Sequence, residues 1–301
     1  MDHRNDKTVV VITGATASGK TAIAIRLASK LQTEIISADS RQCYKELNIG
    51  VARPSEEELT KVPHHFIASH SIHESVNAGT FQHYALRKAQ ELFKTHDTVV
   101  MAGGTGLYIR AFVEGIDRIP EVPSEVRQQI IGFYKEKGLQ WLQAEVKRRD
   151  PEYFRLGESQ NPQRLMRALE VAEATGQSIL TFQKGRKERR HFRIVKIGVD
   201  VAREELQRRI NARVDRMIEN GLIGEVKNLV PFKNLNALQT VGYSELFVHL
   251  DQNISLTEAI ELIKRNTRQY AKRQMTWFRK DPEISWRTEQ QIEGLKDFDL
   301  Q

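Results

Sequence analysis

Cysteine and long apolar runs are almost absent from this chain. Its 301 residues include one cysteine, Cys43, which excludes an internal disulfide framework and is typical of a protein from a reducing compartment. Residues 1–7 are polar, and the apolar run after them is too short for a secretory signal. No segment approaches the length of a membrane-spanning helix. We therefore expect a cytoplasmic protein that has no membrane partner.

Acidic residues are fewer than basic ones. The chain has 39 Asp and Glu against 46 Lys and Arg, a formal net charge of +7, and 40% hydrophobic residues. The hydrophobic content is sufficient for a sizeable core. The positive charge favours polyanionic partners, although many basic enzymes never bind nucleic acid. The distribution of the charge along the chain is therefore more informative than its sum.

The most informative motif is a glycine loop between a β-branched run and a helical pattern. The run Val9–Thr13 precedes the octet Gly14–Thr21, which matches GxxxxGK[ST]. Glycines let backbone N–H groups converge on an anion at a helix N-terminus. In this motif Lys20 binds the terminal phosphates and the Thr21 hydroxyl is a ligand of Mg²⁺. The loop residues predicted to bind phosphate are Gly14, Ala15, Thr16, Ala17, Ser18, Gly19, Lys20 and Thr21.

A second polar segment follows the next predicted strand. Glu34–Ser37 is apolar in its centre and leads into Asp39. Ligands of open α/β sheets bind at the carboxyl ends of the strands. A carboxylate there can bind Mg²⁺ through water or take a proton from a nucleophile. The alternative is that this Asp or the neighbouring Ser only caps the next helix.

A third loop, Gly103-Gly104-Thr105, follows the predicted strand Thr98–Ala102. An ATPase usually has a Walker-B carboxylate at the end of such a strand. The glycines here indicate close approach of the backbone to a ligand rather than metal binding. A strand-to-helix turn that merely requires glycine explains them equally well.

The order of elements predicts a doubly wound α/β protein that carries a helical insertion. The remaining strand is Ile194–Val199, and the helices are Lys20–Gln32, Phe81–Lys94, Ser124–Lys137, Trp141–Arg149, Pro162–Thr175, Glu204–Asn220 and a last one from Ser255 to about Arg279. We predict a P-loop NTPase-like core with a parallel sheet, formed by residues 1–117 and 191–301. An all-helical domain is inserted at residues 118–190.

Positive charge is concentrated in two parts of the chain. The C-terminal helix carries seven cations without an intervening acid, namely Lys264, Arg265, Arg268, Lys272, Arg273, Arg279 and Lys280. The predicted insertion and its end carry Arg127, Arg148, Arg149, Arg164, Arg167, Arg186, Arg189 and Arg190. Residues 264, 268 and 272 share one helix face, which suits a phosphate backbone, and nearby aromatics suit base stacking. A solvated basic face is the alternative, but two such regions around a phosphate site favour RNA.

Eight segments then occur in an order that resembles the bacterial tRNA dimethylallyltransferases. They are GATASGKT, ISADSRQCYKELNIG, VPHHF, AGGTGLYIRA, NPQRLMRALEVAEATGQ, RVDRMIENGLIGEV, LQTVGYSEL and RQYAKRQMTWFRKD. The resemblance implies transfer of a dimethylallyl group from dimethylallyl pyrophosphate to N6 of adenosine-37 of tRNA, just 3′ of the anticodon. It also implies that the insertion grips the anticodon stem-loop. The chain departs from the family at Ala15, where proline is usual, and at Val51-Ala52-Arg53, where Thr-Ala-Lys is usual.

The resemblance also implies roles for individual residues. Asp39 is expected to take the N6 proton, while Lys20, a Mg²⁺ ion near Thr21, and Arg213 stabilise the leaving pyrophosphate. Leu165 and Met166 are expected to pack beside an unstacked base. The expected tRNA contacts are Asp39, Ser40, Arg41, Gln42, Thr105, Arg127, Gln163, Arg164, Leu165, Met166 and Arg167, with Lys272 and Arg273 from the cation run.

Three alternatives remain at this point. A small-molecule or nucleoside kinase would use the same P-loop on ATP, and an RNA-binding protein with a relic P-loop would transfer nothing. A prenyltransferase for free adenine nucleotides would not need the basic regions. We expect the P-loop to hold the donor's pyrophosphate, ATP to compete weakly if it binds, and the protein to act as a monomer.

Overall fold

The structure, a computed structural model, describes residues 7–185 and 187–295. The polar start of the chain and Arg186, which entered the expectations above, lie outside the described residues. The chain divides into two compact units, Met1–Glu114 with Arg189–Gln301, and Gly115–Glu188. In the part that is described, no helix is both long and apolar enough to cross a membrane.

The larger unit is built on a six-stranded sheet in which every pair of neighbours is parallel. Its strands are β1 (Thr8–Thr13), β2 (Ile35–Ser37), β3 (His64–His65), β4 (Thr98–Gly103), β5 (Arg193–Val199) and β6 (Ser285–Arg287). The spatial order is β3-β2-β4-β1-β5-β6, so β1 lies inside the sheet. The predicted α/β class with a parallel sheet is confirmed.

Helices join these strands and cover the sheet. In the larger unit they are α1 (Lys20–Lys30), α2 (Glu56–Lys61), α3 (Ala78–Leu92), α4 (Gly106–Glu114), α8 (Arg203–Glu219), α9 (Leu222–Asn228), α10 (Tyr243–Leu250), α11 (Leu256–Phe278) and α12 (Glu289–Glu293). In the smaller unit they are α5 (Ser124–Arg149), α6 (Pro151–Leu156) and α7 (Pro162–Thr175).

The residues of β1 alternate between two hydrophobic cores. Val9 and Val11 belong to one core, whereas Val10 and Ile12 belong to the other, which also contains the buried face of α1. All six residues of the strand are buried. A strand with both faces covered has a continuous run of apolar residues, so β1 could be predicted from the sequence.

Local capping signals set the ends of the helices. Ser255 caps α11, its side chain accepts the N–H of Glu258, and the Glu258 carboxylate accepts the N–H of Ser255. Asn161 caps α7, which ends at Gly176 in the left-handed conformation (φ 68°). Both helices therefore begin where the sequence predicted, because a cap residue and its partner lie within one turn.

The smaller unit has a hydrophobic core of its own, to which Leu142, Val146 and Leu165 contribute. Helix α5 is interrupted at Gly138, whose φ of 74° and ψ of −169° are not helical. The two helices predicted on either side of this glycine are therefore the two halves of one interrupted helical segment. The left-handed φ at this position is readily adopted only by glycine.

Candidate active site

The P-loop joins β1 to α1 at the carboxyl edge of the sheet. Gly19 is the N-cap of α1 with a φ of 91°, and it has no side chain that could cap the first N–H groups. Ala17 also has a left-handed backbone, with a φ of 63°. The first N–H groups of a helix have no acceptor within the helix. An anion that enters this turn meets those donors and the positive end of the helix dipole.

Two cations accompany the loop. The Nζ atom of Lys20 lies 3.3 Å from the carbonyl oxygen of Ala15. On α8, the Nη1 atom of Arg213 donates to Oγ1 of Thr16 at 3.1 Å. Burial and, to a smaller extent, the nearby positive charge of Arg213 lower the pKa of Lys20 to about 8, against the opposing effect of Asp39. Burial also lowers the pKa of Arg213, and the charge of Arg216 adds to that effect.

Asp39 follows β2 and one of its oxygens is committed to the backbone. Oδ1 accepts the N–H groups of Arg41 at 2.8 Å and Gln42 at 3.2 Å. The alternative interpretation of Asp39 as a helix cap is wrong, because this oxygen caps a turn and the next helix, α2, is capped by Ser55. Because the two N–H groups hold the carboxylate in one orientation, its second oxygen is available to a ligand.

Two cavities of the larger unit adjoin at these residues. The smaller one, about 50 Å³, includes Lys20, Thr21 and Gly103 in its lining. The larger one, about 470 Å³, is lined in part by Tyr270 and Arg273 of α11. The residues common to both linings are Thr16, Asp39, Val51, Ala52 and Arg213. The P-loop, the strand-end carboxylate and Arg213 are therefore brought together as the sequence predicted, and a wider chamber lies beside them.

Several of the expected RNA contacts bind the protein itself. Arg41 donates to the carbonyl oxygens of Asn236 at 2.8 Å and Ala237 at 3.2 Å. Gln42 donates to the carbonyl oxygens of Val51 at 3.2 Å and Ala52 at 2.9 Å. These side chains fix the walls of the cavities, a role that the sequence analysis did not foresee.

The glycines at the end of β4 permit close contact between segments of the protein. A Cβ atom on Gly103 would lie 2.2 Å from the carbonyl oxygen of Ala38. The hydroxyl of Thr105 accepts the N–H of Ser40 at 3.0 Å and lies 3.3 Å from its Oγ. Packing within the protein therefore requires glycine here, as the alternative interpretation held, while close approach to a ligand stays a prediction because Gly103 also lines the smaller cavity.

Metal-binding groups are sparse among the described residues, where no cluster of three His, Cys, Asp or Glu is suited to a metal ion. His64 lies 2.7 Å from the carbonyl oxygen of Val62, and His65 bonds to Glu34. Burial raises the pKa of the Cys43 thiol to about 12, so this cysteine is an unreactive core residue.

The cation run of α11 is divided between two roles. Lys264 pairs with Asp215 of α8 at 2.8 Å, and Arg268 donates to Oδ1 of Asn211 at 2.7 Å. The prediction that residues 264, 268 and 272 form one RNA-binding face is therefore wrong, because the first two bind α8. Lys272 and Arg273 are exposed, and the Arg273 guanidinium lies 5.8 Å from the Tyr270 ring centre.

One expected contact of the insertion is also wrong. Leu165 is fully buried in the core of the smaller unit, so its side chain cannot wedge beside a base. Met166 is only partly buried. Gln163 and Arg164 are exposed, although Arg164 pairs with Glu158 at 2.6 Å.

Two further arginines of the insertion share one buried carboxylate. Glu170 lies 3.7 Å from Nε of Arg127 and 3.2 Å from Nη1 of Arg167. Its side chain is 6% exposed, whereas those of Arg127 and Arg167 are 58% and 39% exposed. The arginines therefore neutralise Glu170 while most of the Arg127 side chain still faces solvent.

Two residues near the site were missed by the sequence analysis. The side chain of Gln274, on α11, accepts a hydrogen bond from the P-loop. The carboxylate of Glu225, on α9, accepts the N–H groups of Ile49 and Gly50, in the loop that leads into Val51. Both contacts join segments that are far apart in sequence. The only sequence feature that pointed to Gln274 and Glu225 was their position inside the matched segments RQYAKRQMTWFRKD and RVDRMIENGLIGEV.

Comparison with known proteins identifies the family. The family described as IPP transferase matches residues 42–281. The chain belongs to the IPP transferase family. Among relatives of this IPP transferase chain, the tRNA dimethylallyltransferase of Christiangramia forsetii is 48% identical over 278 residues, covering 92% of each chain. That of Cytophaga hutchinsonii is 46% identical over 281 residues, covering 93% of this chain and 92% of its own.

Solved structures of IPP transferase relatives have the same fold. The full-length tRNA isopentenylpyrophosphate transferase of Bacillus halodurans is 34% identical, with a TM-score of 0.71 over 97% of this chain and 95% of its own. A eukaryotic dimethylallyltransferase, described as acting on tRNA, is 23% identical with a TM-score of 0.74, over 96% of this chain and 75% of its own. The second likeness supports the fold alone. The resemblance inferred from the sequence motifs is confirmed.

Proposed function

We propose that this IPP transferase moves the dimethylallyl group of dimethylallyl pyrophosphate to N6 of the tRNA adenosine just 3′ of the anticodon. The observation that carries the proposal is the junction of the two cavities. The P-loop and its cations line one, Asp39 lines both, and the second is wide enough for a base. The names of the curated relatives support the same reaction.

The donor's pyrophosphate binds at the P-loop. The N–H groups at the start of α1, together with Lys20 and Arg213, face the position where negative charge grows as the allylic C–O bond breaks. Fixed donors and cations at such a position stabilise the transition state. No carboxylate follows β4, which argues against the ATPase arrangement, and an allylic pyrophosphate needs no further activation by ATP.

A Mg²⁺ ion fits this cavity, although few protein atoms would hold it. The Thr21 hydroxyl lines this cavity and would hold the ion, while Asp39, in the same lining, would contact it through water and keep its second oxygen for the N6 proton. Mg²⁺ binds proteins through one or two side-chain oxygens and completes its shell with water and substrate phosphates. When bound, it would supply positive charge that neutralises the leaving pyrophosphate.

The acceptor adenine enters the larger cavity after leaving the base stack, as enzymes that modify bases require. The N6 lone pair forms the new C–N bond, the C–O bond to pyrophosphate breaks, and the N6 proton passes to Asp39. Tyr270 and Arg273 form the wall on the side of α11. The walls also hold Ser40, which Thr105 orients, so we retain both as RNA contacts.

The insertion grips the anticodon stem-loop through its exposed polar side chains. We assign this role to Arg127, Gln163, Arg164 and Arg167, and we withdraw it from Leu165. Glu158 and Glu170 balance part of the charge of the three arginines, so each arginine binds phosphate less strongly than a free cation would. We further propose that the protein acts as a monomer in the cytoplasm.

The direct test incubates the protein with unmodified tRNA, dimethylallyl pyrophosphate and Mg²⁺ in buffer that contains no nucleotide. We expect the prenyl group on the RNA, no prenylation of free AMP or ATP, and no ADP when ATP is added. A strict requirement for ATP, with ADP released, would establish a kinase instead. Binding of tRNA without transfer would indicate an RNA-binding protein.

Replacing Lys272 and Arg273 by alanine should weaken tRNA binding and leave binding of the donor unchanged. Both side chains are exposed, and Arg273 lines the larger cavity. The slope of log K against log salt should become shallower by about 0.7–0.9 for each phosphate group that the variant no longer neutralises. The matched control replaces Lys94 and Arg193, two exposed cations at the amino ends of β4 and β5, away from the P-loop. An unchanged slope would mean that this part of α11 is only solvated.

The affinity for dimethylallyl pyrophosphate, which has no further proton to lose in this range, should fall as the pH rises above about 8. Below that pH Lys20 is already protonated. Above it Lys20 is neutral in the free protein and must take up a proton when the donor binds, which costs affinity. The loss should approach about tenfold per pH unit. Calorimetry in buffers of different ionisation enthalpy measures the proton uptake. The Lys20→Met variant should lose this dependence, and proton uptake that persists in it would assign the effect to another group.

A further inference from the structure

Gln274 links helix α11 to two segments of the donor site. Its Oε1 atom accepts the backbone N–H of Thr16 in the P-loop at 2.8 Å. Its Nε2 atom donates to the carbonyl oxygen of Gly104, after β4, at 2.9 Å. The residue is 7% exposed, so both ends of the amide are used within the protein interior.

The surroundings of Gln274 are shaped to admit this amide. A Cβ atom on Gly104 would lie 2.4 Å from Nε2 of Gln274, so a larger residue at that position would displace the amide. One side chain must accept a hydrogen bond from the Thr16 N–H and donate another to the Gly104 carbonyl oxygen, so it needs an acceptor and a donor together. Among uncharged side chains, an amide is the group that presents both in a planar fork.

The two hydrogen bonds of Gln274 fix the position of Thr16, which is itself hydrogen-bonded to Arg213. The Thr16 N–H is committed to Gln274, while the Thr16 hydroxyl accepts from Nη1 of Arg213. Thr16 and Arg213 line both cavities. A change in the position of Thr16 therefore moves the acceptor that orients the Arg213 guanidinium.

We propose that Gln274 is a positioning residue for the pyrophosphate end of the donor. It acts through the Thr16–Arg213 pair and does not itself touch the substrate; this role rests on the function proposed above.

The first variant, Gln274→Met, keeps the length of the side chain and removes both hydrogen bonds. We expect the affinity for inorganic pyrophosphate and kcat/KM for dimethylallyl pyrophosphate to fall about 5–30-fold, because the Thr16 N–H and the Gly104 carbonyl oxygen are left without their partner. The affinity for tRNA should not change. The matched control is Gln269→Met on the exposed side of the same helix, which should behave as the unmodified protein.

The second variant, Gln274→Glu, retains an acceptor for the Thr16 N–H but loses the donor to Gly104. The introduced carboxylate also adds negative charge near the pyrophosphate. We expect a weaker affinity for pyrophosphate that recovers, relative to the unmodified protein, as the pH is lowered. A protonated carboxyl can again donate to the Gly104 carbonyl oxygen, whereas general damage to the fold would not be reversed by acid.

Three results would overturn the proposal. The first is a Gln274→Met variant that binds pyrophosphate as tightly as the unmodified protein. The second is a variant that loses pyrophosphate and tRNA affinity equally, because equal losses indicate a structural role only. If Gln274→Met does not fold, a Gln274→Glu variant with no pH-dependent recovery is the third. Pyrophosphate binding is measured without transfer, so a failure of the proposed function is detected separately, as the absence of prenylated tRNA with unmodified protein.

Discussion

Asp39→Asn should lower the rate of prenyl transfer by about 10²–10⁴, the usual loss when a general base is removed. Asparagine keeps the shape of the side chain, and its amide oxygen can still accept the N–H groups of Arg41 and Gln42 that Oδ1 binds now. The turn after β2 is therefore retained, but the N6 proton has no acceptor. Single-turnover kinetics with saturating tRNA and donor measure the chemical step.

The matched control for this variant is Asp97→Asn, which removes a carboxylate that pairs with Lys7 just before β4, away from the P-loop. It should transfer at the rate of the unmodified protein, and both variants should bind tRNA with similar affinity. An Asp39→Asn protein whose rate lies within a few-fold of the unmodified one would remove this carboxylate from the chemistry.

Lys20→Ala should lower transfer by about 10²–10³, the range seen when one donor to a developing oxyanion is removed. Its side chain is half-buried at the P-loop and lines the cavity that Thr21 and Arg213 also line. We expect the loss in kcat as well as in donor affinity, because the charge on the leaving pyrophosphate is greatest in the transition state. Rapid-quench kinetics over a range of donor concentrations separate the two effects.

Lys30→Ala at the other end of α1 is the control for this variant. It removes a positive charge from the same helix and should leave transfer unchanged. Affinity for tRNA should be the same in both variants. A Lys20→Ala protein with normal kcat and only a raised KM for the donor would show that Lys20 binds the ground state and the transition state equally.

Much of the sheet could be predicted because its information is local. The apolar run of β1, the glycine turn and the apolar face of α1 are adjacent in the sequence, and the caps of α7 and α11 lie within a few residues of the helices they begin. Strands β3 and β6 were not predicted. With two and three residues they are too short for a pattern, and they are ordered by pairing with β2 and β5.

The site was predictable where a motif carried its chemistry and not where a distant partner determined the role. Asp39 and Arg213 were predicted and line one cavity. Arg41 and Arg268 have side chains typical of RNA contacts, but each bonds to a partner that sequence spacing does not reveal. Leu165 was misassigned for the same reason, because burial depends on how the helices of the insertion pack.

The most direct measurement of the proposed reaction is mass analysis of nuclease fragments from tRNA treated with the protein, dimethylallyl pyrophosphate and Mg²⁺ in nucleotide-free buffer. We predict that the fragment with the adenosine just 3′ of the anticodon gains the mass of one dimethylallyl group. Nucleoside analysis should place that group on N6, and the Asp39→Asn protein should give little of it. An unmodified anticodon fragment, or a prenyl group at another position of the tRNA, would contradict the proposed function.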